Sequence, residues 1–234
     1  MRAAVLIAAA LALTGSAVHT ADGTGVLRRL DHLVYAVPDL DGAVADLEQR
    51  LGVRATPGGQ HPGRGTRNAL IALGPESYLE ILAPDPAQAA PAGGRWFGVD
   101  PNTPARLAGW AAKGVDLSRV AAAAASRGVP LGPVVAGSRQ RPDGVTLQWT
   151  LTDPGLSAGV SLVPFFIDWT GSPHPAATAA RGPALESLRA EHPRPDLAHE
   201  PLAALGLDLP VDQGPRPALV ATLRTASGVV DSPS

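Results

Sequence analysis

"LDHLVYAVPDL" (residues 30–40) and "LAGWAAKGVDL" (residues 107–117) can be laid on one another without a gap, because both ends are displaced by 77 residues, 30 to 107 and 40 to 117. The first stretch alternates like a strand and is closed by Pro38. Asp39 or Asp41 then caps an amphipathic helix in "DLDGAVADLEQRLG", with Val44, Leu47 and Leu51 on one face and Gly52 as the stop. "VRATPGG" (53–59) reads as a short strand. "RNALIALG" (67–74) and "SYLEILAP" (77–84) are two more, joined by a tight turn. The unit is β-α-β-β-β. After the second stretch comes a helix, "SRVAAAAASRGV" (118–129), then three strands in "PLGPVVAG" (130–137), "GVTLQWTL" (144–151) and "VSLVPFFIDW" (160–169). Each helix is entered through Asp-Leu and left through glycine, so duplication explains the likeness better than chance.

A fainter third copy runs over 184–211 as strand, helix, Leu-Gly-Leu, strand, and continues through "ALVATLRT" (218–225). "TGSPHPAATAARGP" (170–183) reads as a connector and residues 227–234 as a frayed tail. The expected fold class is α+β: tandem βαβββ modules over 30–84 and 107–168, with an extra C-terminal strand-helix-strand unit over 184–226 packed on the same domain.

The 234-residue chain is long enough to bury a sizeable core. A net charge of −2 gives no reason to expect nucleic acid or an anionic membrane as a partner. With no cysteine there are no disulfides, thiolate ligands or cysteine nucleophile, and Lys113 is the single lysine available for a Schiff base. Residues 1–25 stand apart. Arg2, the apolar "AAVLIAAALAL" and the small residues Gly15 and Ala17 resemble a secretory signal. The run is too short to span a bilayer, which takes about 20 residues. Alternatively the chain starts at Val26 and the extension is a mis-assigned start. The second reading, which implies the cytoplasm, is preferred; the first implies export.

"GGQHPGRGTRNALIAL" (58–73) places four glycines around His61 and Arg64. Gly58 and Gly63 have phosphate-loop spacing, but Arg64 stands where lysine belongs and Gly65 where a hydroxyl belongs. A phosphate loop must feed a helix whose N-terminal amides hold the anion. This one feeds a strand, so the nucleotide reading fails. Its polar residues His61, Arg64, Thr66, Arg67 and Asn68 can all bind oxygen, and Arg64 or Arg67 facing a cleft would grip a carboxylate. The bland alternative is a wide hairpin that satisfies its own backbone.

The tandem modules opening with "LDHLVYAVPDLDGAV" resemble the glyoxalase/bleomycin-resistance/dioxygenase superfamily, the vicinal oxygen chelate proteins. More narrowly, "GGQHPGRGTRNALIAL", "YLEIL", "RWFG", "RPDGVTLQW" and "PFFIDW" are similar to the bacterial glyoxalase-like domain family, from about residue 28 to the end. The resemblance implies a cleft between curled sheets and metal ligands on the first and last strands of a module, here His32 and Glu80. A divalent Fe, Mn, Zn or Ni ion would suit that pair. In the second module the matching positions are Gly109 and Pro164, which offer no ligand. His61 is the expected third ligand if its loop folds over the cleft; the alternative for His32 is a plain hydrogen bond to Glu80.

Two functions follow. One is a metal-assisted lyase or isomerase acting on a small, oxygen-rich, anionic metabolite, with Glu80 or His61 moving a proton and Arg64, Thr66, Arg67, Asn68 and Trp96 contacting the ligand. The other is a binding or sequestering protein without chemistry. Phe97, Trp149, Phe165, Phe166 and Trp169 are expected in the core, and Arg139 and Arg141 at an exposed hairpin.

Overall fold

The computed structural model describes residues 25–155 and 159–232, so the reading of residues 1–24 lies outside the described residues. A five-residue helix α1 (Gly25–Arg29) leads into β1 (Leu30–Ala36). Then follow α2 (Leu40–Leu51), β2 (Thr56–His61), β3 (Thr66–Gly74) and β4 (Ser77–Pro84). The second module is β5 (Arg106–Lys113), α3 (Leu117–Ser126), β6 (Val134–Gln140), β7 (Thr146–Thr152) and β8 (Phe165–Asp168). Both modules have the expected βαβββ order.

Local chemistry sets the helix ends. Asp39 accepts hydrogen bonds from the amides of Asp41 and Gly42, and Gly52 closes α2 at φ 71°. Asp116 does the same work for α3 by accepting from the amide of Arg119. Val44, Leu47 and Leu51 turn inward against the outer face of β1 and β4, beside Leu33, Leu79 and Ile81.

The two modules meet where β1 and β5 pair antiparallel, and β1 pairs parallel with β4 on its other side. The sheet then runs through β3 and β2 on one flank and through β8, β7 and β6 on the other. It curls until it meets itself, because β2 pairs with β3 and also, through Gln60 and Gln140, with β6. Eight strands thus enclose an interior. β2 covers β3 only as far as Leu70; beyond that the short β9 (Ala180–Arg181) pairs with Ile71 and Ala72.

One face of this sheet packs outward and the other inward. The outer core continues without a break into a second, four-stranded sheet made of β10 (Ala184–His192), β11 (Val211–Gln213), β12 (Ala218–Thr225) and β13 (Gly228–Asp231), to which α4 (Asp196–Ala204) belongs. Leu188, Ala190, Leu219 and Leu223 share one apolar cluster with Leu30 and Trp110, so the third unit is welded to the modules by burial. The inner core is smaller and aromatic: Trp96, Phe97, Trp149 and Phe165 with Val34, Ala36 and Leu82.

Two expectations need correction, and one strand departs from simple alternation. Residues 228–231 are not frayed: they form β13, paired with β12 from Thr222 to Thr225. The connector is more than a link, since Ala176 and Ala179 are buried against Leu70, Ala72 and Tyr78. In β1, Leu30 does not share the face of His32 and Val34. The pairing slips between Leu30 and His32, which sends Leu30 to the outer core and leaves Asp31 buried beside the inner one.

Candidate functional site

The fourth residue of β4 and the third of β1 face the enclosed space. β1 and β4 run parallel, with His32 opposite Tyr78 and Val34 opposite Glu80, so the side chains of His32 and Glu80 reach one chamber from adjacent strands. His32 Nε2 stands 3.6 Å from a Glu80 oxygen. On the far side of Glu80, Asn68 from β3 donates its amide Nδ2 to Oε1 at 2.6 Å. His61, the last residue of β2, turns Nε2 toward the same oxygen at 3.8 Å. These four residues line an inner chamber of about 30 Å³, completed by Tyr78, Arg139, Phe165 and Trp169 among others. That volume holds about one water.

The imidazoles are held at their other nitrogens. His32 Nδ1 lies 2.8 Å from Asp31 Oδ1, and His61 Nδ1 lies 2.9 Å from the hydroxyl of Thr66. The Asn68 amide also sits 3.3 Å from His61 Nε2, which makes that nitrogen the acceptor and places the His61 proton on Nδ1. Burial drives the His61 pKa down to about 4, partly resisted by Glu80 and reinforced by Arg139, so the ring is neutral at pH 7. Burial alone would raise Asp31, but hydrogen bonds from His174 and His32 outweigh it and hold the carboxyl at about 2. Trp169 adds its indole N–H to Asp31 at 3.3 Å, and His174 Nε2 lies 3.2 Å from the other oxygen. Burial, with Asp31 and Glu80 close by, pushes the Tyr78 phenol well above its usual range.

Outside the chamber lies an open cavity of about 660 Å³, lined by Arg64, Ser138, Gln148, Thr150 and Asp168 and sharing His61, Trp96 and Trp149 with the inner chamber. Arg64 lies over the Trp96 ring at 4.3 Å from its centroid. Trp96 is fixed by its own N–H to Asp153. The open cavity, a vestibule, meets the chamber at the three shared walls His61, Trp96 and Trp149, while its Ser138, Gln148 and Thr150 belong to the outer face of β6 and β7.

The candidate residues sort by strand parity. Asn68 faces the chamber, so Arg67 beside it must face out. Its guanidinium pairs with Asp41 on α2 at 3.0 Å, and its expected place as a ligand contact is corrected accordingly. Thr66 is fully buried and is occupied in holding His61, which corrects its expected place as a ligand contact. His61 is no loop tip: β2 extends through it, and only Pro62–Gly65 remain as turn. Gly58 and Gly59 therefore lie inside a strand. A Cβ on Gly58 would collide with Asn68 Oδ1, so that glycine serves the close approach of Asn68. Trp149, Phe165 and Trp169 were expected only in the core, and they also line the chamber.

Residues that the sequence reading missed are Asp31, Tyr78, His174 and above all Arg139. The last was expected at an exposed hairpin but is 3% exposed and lines the chamber. Its parity with Leu147, its cross-strand partner, was the available signal.

In the second module the matching positions, Gly109 and Pro164, carry no ligating side chain. Phe97, held at φ 56° in the left-handed region, lays its ring where a Cβ on Gly109 would stand. For the implied metal, His32 Nε2, His61 Nε2 and Glu80 are suitable atoms, but the Asn68 nitrogen lies between two of them. Among the described residues, no three His, Cys, Asp or Glu side chains have the spacing to hold an ion. As placed, the residues do not fit a metal.

The sequence matches the glyoxalase-like domain family over residues 30–206. The chain belongs to that family, within the vicinal oxygen chelate superfamily. Among solved structures it is similar to a hypothetical protein from Staphylococcus aureus, with TM-score 0.55, 15% identity, 86% of this chain and 83% of that one covered. It is also similar to a Streptomyces coelicolor methylmalonyl-CoA epimerase in complex with 2-nitronate-propionyl-CoA, at TM-score 0.40 and 22% identity over 59% of this chain and 95% of that one. A 4-hydroxymandelate synthase variant from Streptomyces coelicolor gives TM-score 0.41 and 16% identity, over 87% and 61%. These likenesses concern the glyoxalase-like fold. No curated protein matches the sequence. Among the described residues no helix is long and apolar enough to cross a membrane.

Proposed function

We propose that the protein binds a small, oxygen-rich, anionic metabolite in the vestibule, with one end in the inner chamber, and that Glu80 moves a proton on it. The supporting observation is the setting of Glu80. Its carboxylate is 9% exposed, one oxygen is gripped by Asn68, and the other faces the chamber 3.6 Å from His32 Nε2. A carboxylate fixed by one oxygen and free at the other is placed as a general base. It would take a proton from carbon next to a carbonyl and return it to the same or a neighbouring atom, which is isomerase chemistry; lyase chemistry would follow if a group on the neighbouring carbon left with its bonding pair instead. His61 acts through Asn68: neutral, it accepts from the amide and so keeps the second amide hydrogen on Glu80. His32 is oriented by Asp31, as a base partner needs to be. The relatives named above fit a small-molecule site in this fold, and no step here requires a metal.

The test is proton exchange. A panel of small 2-oxo, 2-hydroxy and dicarboxylic acids would be incubated with the protein in D₂O and followed by proton NMR. We expect deuterium to enter one C–H position of at least one compound, and Glu80→Gln to abolish this without unfolding the chain. Exchange unchanged in Glu80→Gln would overturn the assignment. Saturable binding of such acids with no exchange by wild type would favour the sequestering alternative instead.

A further inference from the structure

Arg139 is a buried cation without an anion. Its guanidinium is 3% exposed, yet no carboxylate among the described residues comes within ion-pair distance of it. Among the described residues its only hydrogen bond is from Nη1 to the carbonyl of Gly58, across the β2–β6 seam. A guanidinium carries five N–H donors in a planar fork that matches a carboxylate. A largely buried guanidinium with most of its donors unpaired is costly unless they reach solvent or a ligand. The remaining donors are not sealed off, because Arg139 lines the inner chamber together with Glu80. The unlike charges of Arg139 and Glu80 face one small space without touching.

We infer that Arg139 receives a carboxylate oxygen of the ligand in the inner chamber, and that the protein is therefore specific for small carboxylic acids. This rests on the reading of the vestibule and chamber as the ligand site. Three features converge on it. The chamber has room for about one water, so one carboxylate oxygen replaces that water while the body of the ligand stays in the vestibule. The doorway is aromatic, of Trp96 and Trp149, which shields the ion pair from bulk solvent and strengthens it. The anion also has to pass Arg64 on Trp96, a second cation set at the vestibule wall. With the carboxylate on Arg139, the carbon beside it lies toward Glu80, the group proposed to move a proton. Neutral amides of the same size lack the charge and gain little from the pair.

The experiment uses glycolate and pyruvate as probes, with glycolamide and pyruvamide as neutral counterparts. Binding is read from tryptophan fluorescence, since Trp96 and Trp149 form the doorway, and from the Nε–Hε signal of Arg139 in nitrogen-15 NMR spectra. We expect the acids to shift both signals saturably and the amides to leave the arginine signal in place. Arg139→Gln should weaken acid binding at least about tenfold, the loss of a charge-assisted pair. Arg139→Lys should recover part of it while keeping the brace to Gly58, which covers the case in which the glutamine variant folds poorly. Arg67→Ala, on the outer face, serves as the control and should bind like wild type. Equal binding of acids and amides by wild type would overturn the inference, as would a folded Arg139→Gln that binds acids normally. The proposed proton transfer fails separately: Glu80→Gln would then keep deuterium exchange, whatever Arg139 does.

Discussion

His61 should make the folded protein acid-sensitive in a defined window. Its ring is buried and neutral, with a pKa pushed down to about 4 from an unfolded value near 6.5. Below pH 6.5 the unfolded chain takes up a proton at this residue and the folded chain does not. The unfolded state then binds more protons, so stability falls as pH falls, and the loss levels off only below pH 4. Proton linkage gives about 1.4 kcal/mol lost by pH 5.5 and about 3 kcal/mol by pH 4, relative to neutral pH. The perturbation is His61→Gln, which keeps a polar side chain between Thr66 and Asn68 but does not titrate. It carries a constant packing cost, and that cost cancels because the pH slopes are compared rather than the absolute stabilities. The assay is urea unfolding at half-unit intervals from pH 7.5 to 4, with wild type and variant at equal ionic strength. Wild type should lose about 3 kcal/mol more than the variant over that range. Asp31 does not interfere: its lowered carboxyl acts only between 3.8 and about 2, below the window. Parallel curves for the two proteins would refute a neutral, buried His61, and with it the tautomer that lets Asn68 hold Glu80.

Other expectations follow from the same contacts. Asp31→Asn should cost about 2 kcal/mol at neutral pH, an increment present in wild type above pH 3.8 and lost as pH falls toward 2, measured by the same urea series. Gly58→Ala should lose about 1–3 kcal/mol in thermal or urea unfolding, because the new methyl group displaces Asn68; a silent substitution would mean that Asn68 is free to move. Arg67→Ala should change stability by less than about 0.5 kcal/mol, since its pair with Asp41 is solvated. Calorimetric titration with Zn²⁺, Mn²⁺ or Ni²⁺ should show no stoichiometric binding to wild type. A 1:1 isotherm abolished in both His32→Ala and Glu80→Gln would show that the side chains rearrange around an ion.

The repeat was legible because each module is written with the same punctuation: Asp-Leu into the helix, glycine out of it, and strands short enough to count. The family resemblance, not alternation, singled out His32 and Glu80 on the first and last strands of the module. What alternation cannot carry is a slip in register, and the slip between Leu30 and His32 is what buries Asp31 beside His32. Nor can it carry partners 143 residues apart, such as His174 and Asp31. Arg139 was hidden by its surroundings. "SRQRPDG" has the composition of an exposed turn, yet the turn begins only after Gln140, and the seam between β6 and β2 roofs the arginine over.

The same seam accounts for the glycines that first suggested a ligand-binding loop. For β2 to reach β6, its backbone must pass Gln140 so closely that a Cβ on Gly59 would collide with the carbonyl, and Gly59 takes φ 132° to do so. Gly58 leaves the space into which Asn68 Oδ1 and the Arg139 guanidinium crowd. Closing the barrel is what brings Arg139 from the second module over Glu80 from the first. In the second module the ring of Phe97 takes the place of a side chain at Gly109. That module's contribution to the chamber is aromatic walls and one cation, while the first module supplies the carboxylate and both imidazoles. Opposite charges from different modules are thus held apart across a space the size of a water molecule. Replacing the seam glycine Gly59 by valine should therefore act at a distance: it opens the β2–β6 contact, withdraws Arg139 from Glu80, and lowers affinity for pyruvate at least as much as Arg139→Gln does. Loss of stability with unchanged pyruvate affinity in the folded fraction would show instead that the seam only seals the barrel.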